Sequence, residues 1–388
     1  MSHPELAAFE RLVGRRISSG CSTSYSDAML RHLVALHRAQ QWTDGLFAIT
    51  ADLGRIEWPG TIEHSRALCT HLPIKLVVVR RQKGSLIDRW DERRQVLVEQ
   101  QVAIAPKEVS TVKEAITPEK EGGKPFWSSS AARYCTKELK TAEVNRYLRR
   151  FPSVVCAVGI RAEESSSRAK KPSFQVRNDI ATVSLKSSRG LNAKEQEQWA
   201  EGAIIRWEGS DRTGRLALTW NAILDWPLEQ VWETLGTSEE ELESRRSLYR
   251  SKDITAALRG WPAHWAYVSG NSRLSCSMCV LASAADIRNG AEHNPSVWLE
   301  LATMEVQSSW SFQQGKWLSE LNVGLKDRIE ATERLFADLK ELGLIEQWNP
   351  MFAIALLSAA PILVIACWKK RVQLALAAAV QRQMKTQL

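Results

Sequence analysis

The sequence has no block of like charge. Its 52 lysine and arginine residues are scattered among 44 aspartate and glutamate residues, which leaves a formal net charge of +8 at pH 7. A massed basic segment is the usual mark of a chain that binds a polyanion through charge alone. The small excess here indicates only a general preference for an anionic partner such as a nucleotide, a nucleic acid or a lipid headgroup.

The amino-terminal segment MSHPELAAFERLVGRR lacks the apolar core of a secretory signal peptide. We therefore expect a cytoplasmic protein. In the reducing cytosol, the seven cysteines are expected to be metal ligands, nucleophiles or core residues rather than disulfides. The length of 388 residues, with 44% hydrophobic and 25% charged residues, is ordinary for a globular protein of roughly two or three domains.

Apolar segments that alternate with helix-forming sequence predict an open α/β sheet. The segments are 45–52, 72–81 and 153–161, and helices are predicted over 27–40 and 61–71. Strand, helix and strand in this order imply right-handed parallel crossovers. The first segment stops at Asp52-Leu53-Gly54. Because such sheets bind ligands at the carboxyl ends of their strands, a site is expected near Asp52.

A serine-rich stretch from Ser18 to Ser26 leads into the helix predicted over 27–40. The unpaired N–H groups and the positive dipole end of a helix amino terminus suit a phosphate. Serine is also a common helix cap, so these residues fit an ordinary helix start as well.

Four segments in the same order resemble motifs of the phosphoadenosine phosphosulfate reductase family. They are ADLGRIEWPGT at 51–61, GIRAEESSSRAKK at 159–171, NAILDWPLEQVW at 221–232 and NSRLSCSMCVLA at 271–282. The resemblance implies a member of the adenine nucleotide alpha-hydrolase (PP-loop ATPase) superfamily, with a parallel, doubly wound α/β sheet. It also implies ATP or another adenylyl nucleotide, with Mg²⁺, across the strand ends.

The resemblance implies roles for individual residues at the nucleotide site. The predicted cofactor-binding residues are Ser19, Gly20, Ser22, Ser24, Asp52, Gly54, Gly159 and Arg161. The predicted catalytic residues are Arg161 and Arg168, whose guanidinium groups suit a phosphate or sulfate oxyanion, and Asp52, which would accept from adenine or ribose. A salt bridge from Arg161 to Glu163 or Glu164 is the alternative.

The phosphate loop departs from the superfamily pattern Ser-Gly-Gly-x-Asp-Ser. Cys21 stands in the place of the second glycine and Thr23 in the place of the aspartate. Glycine allows a close backbone approach that a side chain resists, and an aspartate helps to hold Mg²⁺. A catalytically degenerate nucleotide-binding or regulatory module with a structural metal site is therefore the competing hypothesis.

Cysteine spacing predicts a metal centre. Cys276 and Cys279 form a C-x-x-C motif, and Cys135 lies in a distant segment that also resembles the family. Two thiolates three residues apart can bind one centre, which a third would complete. The resemblance implies an iron–sulfur cluster, [4Fe-4S], because relatives that thiolate tRNA or insert sulfur into DNA carry one. Zinc, with His264 as a further ligand, and a redox dithiol are the alternatives.

These motifs predict an enzyme that adenylylates a substrate with release of pyrophosphate, or that transfers sulfur to a nucleotide or nucleic acid. A nucleic-acid substrate and a sulfur-donor protein are the expected partners. The classical reductase's catalytic cysteine near its carboxyl end has no counterpart here, so reduction of phosphoadenosine phosphosulfate is not the predicted activity. A metal-stabilised nucleic-acid-binding protein is a third hypothesis. The tryptophans crowded between 220 and 265 are expected to be core anchors rather than a base-stacking platform.

Three regions are predicted: a nucleotide-binding domain with the cysteine motif at 1–285, a helical extension at 286–347 and an apolar carboxyl-terminal segment at 348–388. The run MFAIALLSAAPILVIACW at 351–368 carries no charge and is at the lower limit of length for a bilayer span. Basic residues flank it on both sides, so no orientation follows. Membrane association is one interpretation, and a buried helical hairpin or a partner interface is the other.

Overall fold

The computed structural model describes residues 17–20, 25–41, 45–101, 126–183, 190–210, 213–308, 310–314, 316–318 and 341. The chain divides into two compact units. The first comprises Met1–Arg89 and Ser130–Cys279, and the second comprises Trp90–Ser129 and Val280–Leu388. The three predicted regions stay a prediction.

The first unit is built on a six-stranded sheet. Its strands are β1 (Ile17–Gly20), β2 (Phe47–Asp52), β3 (Lys75–Arg80), β4 (Ser153–Ala157), β5 (Phe174–Val176) and β6 (Leu216–Trp220). They lie in the order β3-β2-β1-β4-β6-β5. Every described pairing is parallel except that between β5 and β6. The prediction of a mixed α/β fold with parallel strands is confirmed, whereas the doubly wound arrangement stays a prediction.

Eleven α-helices are described. They are α1 (Tyr25–Ala39), α2 (Thr61–His71), α3 (Leu86–Gln101), α4 (Ala142–Leu148), α5 (Ser166–Ala169), α6 (Ala193–Gly209), α7 (Leu228–Leu235), α8 (Glu239–Arg250), α9 (Ile254–Leu258), α10 (Ala284–His293) and α11 (Pro295–Ser308). A π-helix at Cys135–Thr141 precedes α4, and 3-10 turns lie at Ala162–Glu164 and Trp265–Tyr267.

The core of the first unit lies between this sheet and its helices. β2 and β4 are buried along nearly their whole length, as expected for parallel strands covered on both faces. Met29 and Leu33 of α1 pack in one cluster with Leu218 of β6. The tryptophan-rich segment contributes Trp232, which is buried in a second cluster with Trp226 and Trp261 against it. The expectation that these tryptophans are core anchors is confirmed for this cluster.

The strand order reverses direction beside β1. The chain runs from β1 to β2 and β3 on one side, then returns to place β4 on the other side of β1. In open α/β sheets the ligand crevice lies outside the carboxyl ends of the strands at such a switch point. The segments that follow β1 and β4 therefore border the expected site.

The described part of the second unit contains most of α3, the helices α10 and α11, and an aromatic cluster. Trp127 contacts Trp90 and Phe312 at ring-centroid distances of 5.2 and 5.1 Å. The buried carboxylate of Glu305 accepts a hydrogen bond from the backbone N–H of Leu318 at 3.0 Å. Each helix in the described part of the chain is too short or too polar for a bilayer span. The predicted apolar run at 351–368 lies outside that part.

Candidate nucleotide and cysteine site

The loop after β2 is a tight turn closed by its own side chains. Asp52 Oδ1 accepts a hydrogen bond from the Gly54 N–H at 2.7 Å, which is a common way for aspartate to stabilise a turn. Gly54 has a φ of +80°. Thr61, the first residue of α2, donates from Oγ1 to the Trp58 carbonyl at 2.8 Å. The predicted strand, turn and helix start around Asp52 are therefore present.

The Asp52 carboxylate is also part of an ion pair. Its Oδ2 accepts from Arg80 Nε at 3.0 Å, and Arg80 Nη2 contacts the same oxygen. The side chain of Asp52 is 12% exposed and that of Arg80 is 68% exposed. Both oxygens of Asp52 thus have partners within the chain, at the carboxyl ends of neighbouring strands. Its role toward adenine or ribose stays a prediction.

The phosphate loop begins within β1, whose last two residues are Ser19 and Gly20. Ser19 pairs with Ala48 of β2 and with Ala157 of β4, so the backbone of Ser19 and Gly20 lies at the switch point. Ser22 and Ser24 lie outside the described residues. The phosphate-binding role of all four stays a prediction.

The loop after β4 contains the predicted oxyanion-binding arginines, and it is internally paired. Gly159 is half-buried, and Arg161 is only 4% exposed. Arg161 Nη1 donates to Glu163 Oε2 at 2.6 Å and to the Trp226 carbonyl at 3.0 Å. Arg168 pairs with Glu164. The alternative salt bridge for Arg161 is therefore present, and an anion would have to compete with it.

A π-helix brings Cys135 and Lys140 together. The segment Cys135–Thr141 is π-helical, so its hydrogen bonds join residues five apart, and residues five apart share a face. In an α-helix, with 3.6 residues per turn, the same two side chains would point well away from each other. Isolated π-helical turns often occur at functional sites, and this one packs beside β2.

The C-x-x-C loop is held against the loop after β2. Ser277 lies between the two cysteines and is 1% exposed. Its N–H and its Oγ both donate to the Ile56 carbonyl, at 2.9 and 2.8 Å. Cys276 and Cys279 are half-buried free thiols, as is Cys135. Two distant segments therefore present thiols beside the loop that starts at Asp52.

Electrostatic coupling joins the three thiols to one cation. Burial raises the pKa of the Cys276 thiol, whereas Lys140 opposes that rise. Burial lowers the pKa of the Lys140 ammonium, but Cys276, Glu57, Cys279 and Cys135 outweigh it, and the pKa lies above its ordinary value. The sequence-based interpretation missed Lys140. Its spacing of five from Cys135 carries no signal unless the helix is known to be π-helical.

The three thiols are chemically suited to a thiolate-bound metal centre, but the structure does not place them as one. Three thiols are the ligands that iron–sulfur clusters and zinc prefer. Within the described residues, however, no group of three or more His, Cys, Asp or Glu side chains could hold a metal ion as placed. Metal binding by Cys135, Cys276 and Cys279 stays a prediction.

His264, the further ligand of the zinc alternative, has hydrogen-bond partners within the chain, and its role toward zinc stays a prediction. It is 1% exposed, and its Nδ1 accepts from the Ala266 N–H at 3.2 Å. Its Nε2 lies 3.3 Å from Thr61 Oγ1. Burial and then the charge of His64 lower the pKa of His264 to about 3. Both ring nitrogens therefore have partners, and the ring is a neutral structural link.

Glu57 is the second functional candidate that the sequence-based interpretation missed. Its Oε2 accepts from the Leu53 N–H at 3.4 Å. Burial raises the pKa of this carboxyl to about 7, despite opposing effects of Lys140 and the Leu53 N–H, and Asp52 raises it further. A carboxyl with a pKa near 7 can both take up and release a proton at neutral pH. Its place in the Asp52 loop was visible in the sequence, but its burial was not.

Replacing Glu57 with glutamine is expected to change the pH dependence of stability. The folded pKa is about 7 and the ordinary value is 4.5, so the folded chain binds more protons between these values. Stability therefore falls as the pH rises through that window. The free energy of unfolding of Glu57→Gln, measured relative to wild type, should be on the order of 2 kcal/mol higher at about pH 8 than at about pH 4.5. Chemical denaturation at the two pH values measures this.

The exposed Glu63 provides the matched control, because Glu63→Gln should show no such difference. Equal behaviour of the two variants would mean that Glu57 is not held in an apolar environment.

The α/β fold with its parallel strands is compatible with a nucleotide-binding domain. Residues 86–252 match the family model described as the phosphoadenosine phosphosulfate reductase domain. This part of the chain is therefore similar to that domain, as the motifs predicted. The match includes the segments at 159–171 and 221–232, whereas those at 51–61 and 271–282 lie outside it. No curated protein is similar enough to the chain to count as a match. The family indicates a function in nucleotide or sulfonucleotide processing.

Proposed function

We propose that this protein is an adenine-nucleotide-dependent enzyme that adenylylates a substrate, or transfers sulfur to a nucleotide or nucleic acid, beside a cysteine-bound centre. The observation that carries the proposal is that Ser277, between Cys276 and Cys279, is hydrogen-bonded to the Ile56 carbonyl in the loop after β2, and that the π-helix of Cys135 and Lys140 packs beside β2. The thiol side chains would then lie beside the bound nucleotide.

The nucleotide would lie across the carboxyl ends of β1 and β4, with Mg²⁺ on its phosphates. The backbone N–H groups after β1 would bind the phosphates, because a helix amino terminus favours negative charge. Lys140 would stabilise negative charge on a thiol or on the reacting group, since electrostatic attraction is stronger where water is partly excluded. Glu57 would exchange a proton with the substrate or with a thiol.

Cys135, Cys276 and Cys279 would hold the iron–sulfur cluster. When bound, such a centre would supply an iron that has no protein ligand and is open to a sulfur species. A sulfur-donor protein would be the partner that delivers the sulfur.

Metal analysis of protein purified without oxygen tests the centre. We expect iron with labile sulfide and a broad absorption band near about 400 nm, as thiolate-bound clusters give. Cys276→Ala and Cys135→Ala should lose both iron and absorption. Cys156→Ala is the matched control, because Cys156 is buried within β4 and should keep the centre. Zinc, or protein without metal, would contradict the cluster and favour a structural or thiol site.

A catalytically degenerate nucleotide-binding module is the second candidate. It is favoured by the pairing of the Asp52 carboxylate with Gly54 and Arg80, and by Cys21 and Thr23 in the phosphate loop. Exchange of labelled pyrophosphate into ATP separates the two candidates. An adenylylating enzyme exchanges the label in the presence of its acceptor, whereas a binding module takes up ATP without exchange.

A further inference from the structure

A histidine and an aspartate meet at the edge of the sheet where the nucleotide is expected. His64 Nε2 lies 2.7 Å from Asp27 Oδ2, and the two side chains are 26% and 14% exposed. Asp27 is in the first turn of α1 and His64 is the fourth residue of α2. These helices follow β1 and β2, two neighbouring parallel strands, so both first turns lie at the carboxyl edge of the sheet.

The contact determines which nitrogen of His64 carries hydrogen. A carboxylate can only accept hydrogen bonds, so Nε2 donates to Asp27. In the neutral ring, Nδ1 then keeps a lone pair. Among the described residues, none is hydrogen-bonded to Nδ1. A carboxylate that orients an imidazole so that its other nitrogen can accept a proton is the arrangement found in general bases.

The surroundings of His64 hold the ring in place. The His264 ring meets it edge to face, at 5.3 Å between centroids. His264 is neutral, since its pKa is lowered to about 3 by burial and then by His64. Its Nδ1 is an acceptor, so its Nε2 donates to Thr61, and Thr61 donates onward to the Trp58 carbonyl. Cys69 is also neutral, because burial and then Asp27 raise the pKa of its thiol to about 11.

The position of the pair relates it to the phosphates of the nucleotide. α1 begins directly after the phosphate loop, at the switch point between β1 and β4. A group in the first turn of α1, and a side chain bonded to it, therefore border the place where phosphates are expected. The pair belongs to neither the cysteine cluster nor the motif residues at the strand ends.

We propose that His64, oriented by Asp27, is the general base of adenylyl transfer at this site, an inference that rests on the proposed function. A hydroxyl group of the acceptor, or water in its absence, forms a bond from its oxygen to the α-phosphorus of ATP. The bond from that phosphorus to the bridging oxygen breaks, and pyrophosphate leaves with the electron pair. The proton of the attacking hydroxyl passes to Nδ1 of His64.

The test uses the full chain, Mg²⁺-ATP and water as the acceptor, with release of AMP and pyrophosphate as the rate and calorimetry as the measure of binding. His64→Gln should lower kcat for AMP formation by roughly 100-fold or more, as loss of a general base does. The Kd for Mg²⁺-ATP should change by less than about threefold, because the proton transfer belongs to the transition state. Asp27→Asn should lower kcat in the same way.

Chemical rescue separates catalysis from a structural role. Added imidazole should restore part of the rate of His64→Ala, whereas a pair that only ties α1 to α2 would not respond to it. His71→Gln is the matched control, since His71 is exposed at the far end of the same helix and should leave kcat and Kd unchanged.

Two failures are distinguishable. Unaltered protein that binds Mg²⁺-ATP but forms no AMP with water overturns the base, whereas unaltered protein that fails to bind Mg²⁺-ATP in the calorimeter contradicts the proposed function itself. Unaltered protein that forms AMP, with a His64→Gln variant equally fast or a His64→Ala variant that imidazole does not rescue, overturns the base alone. Loss of Mg²⁺-ATP affinity in Asp27→Asn without a rate change in His64→Gln also overturns it.

Discussion

Gly54→Ala is expected to lower the free energy of unfolding by about 3 kcal/mol, the sum of a backbone and a packing cost. Gly54 has a φ of +80°, and a Cβ built on it would lie 2.6 Å from the Cβ of Ser85. That contact is shorter than side chains tolerate, so the loops after β2 and β3 would have to separate. Leu86 N–H donates to the Leu53 carbonyl at 3.1 Å across the same gap and would be disturbed as well.

Gly60→Ala is the control that isolates the backbone cost. Gly60 has a φ of +82°, but its Cβ would meet no atom within 4 Å. Its replacement should cost only about 1 kcal/mol, the usual penalty for a side chain in the left-handed region. Chemical denaturation compares the two variants with wild type. Equal losses would mean that the Ser85 contact is relieved without cost.

Arg161→Ala is expected to lower the free energy of unfolding by about 3 kcal/mol, because it removes a buried charge that serves two acceptors. The guanidinium group joins Glu163 to the Trp226 carbonyl and thereby ties the loop after β4 to the segment before α7. Without it, the carbonyl of the half-buried Trp226 loses this donor. Thermal and chemical denaturation measure the loss.

Arg168→Ala is the comparison on the same loop. Its ion pair with Glu164 is more exposed, with 34% of the arginine side chain accessible, so the loss should be at most about 1 kcal/mol. If Arg161→Ala were as stable as Arg168→Ala, the hydrogen bonds of the buried Arg161 guanidinium would not contribute to stability. The family-derived assignment of Arg161 to an anion would then gain support.

Local patterns in the sequence were sufficient to predict the main strands of the sheet. The strand predicted over 45–52 is β2 at Phe47–Asp52, and the one over 72–81 is β3 at Lys75–Arg80. The strand predicted over 153–161 ends earlier, at Ala157, because the next residues turn into the loop of Arg161. Apolar runs with turn residues at their ends are signals that neighbouring residues carry by themselves.

The segment before β4 illustrates a limit of such patterns. Its charged and apolar residues are those of an ordinary helix, yet Cys135–Thr141 is π-helical. In a π-helix the hydrogen bonds join residues five apart instead of four. This difference does not depend on composition, but it changes which side chains share a face. The placement of Cys135 and Lys140 on one face could therefore not be predicted from spacing.

The sequence by itself determined the parallel sheet, the edge at which Asp52 and the phosphate loop lie, and the resemblance to the reductase family. These depend on periodicity and on motifs that are contiguous in the chain. The tertiary structure alone decided which groups those motifs meet. Asp27 contacts His64 across 37 residues of sequence, and Ile56 contacts Ser277 across 221. The raised pKa of Glu57 and the engaged ring of His264 arise from burial between distant segments, a property that neighbouring residues in a sequence do not carry.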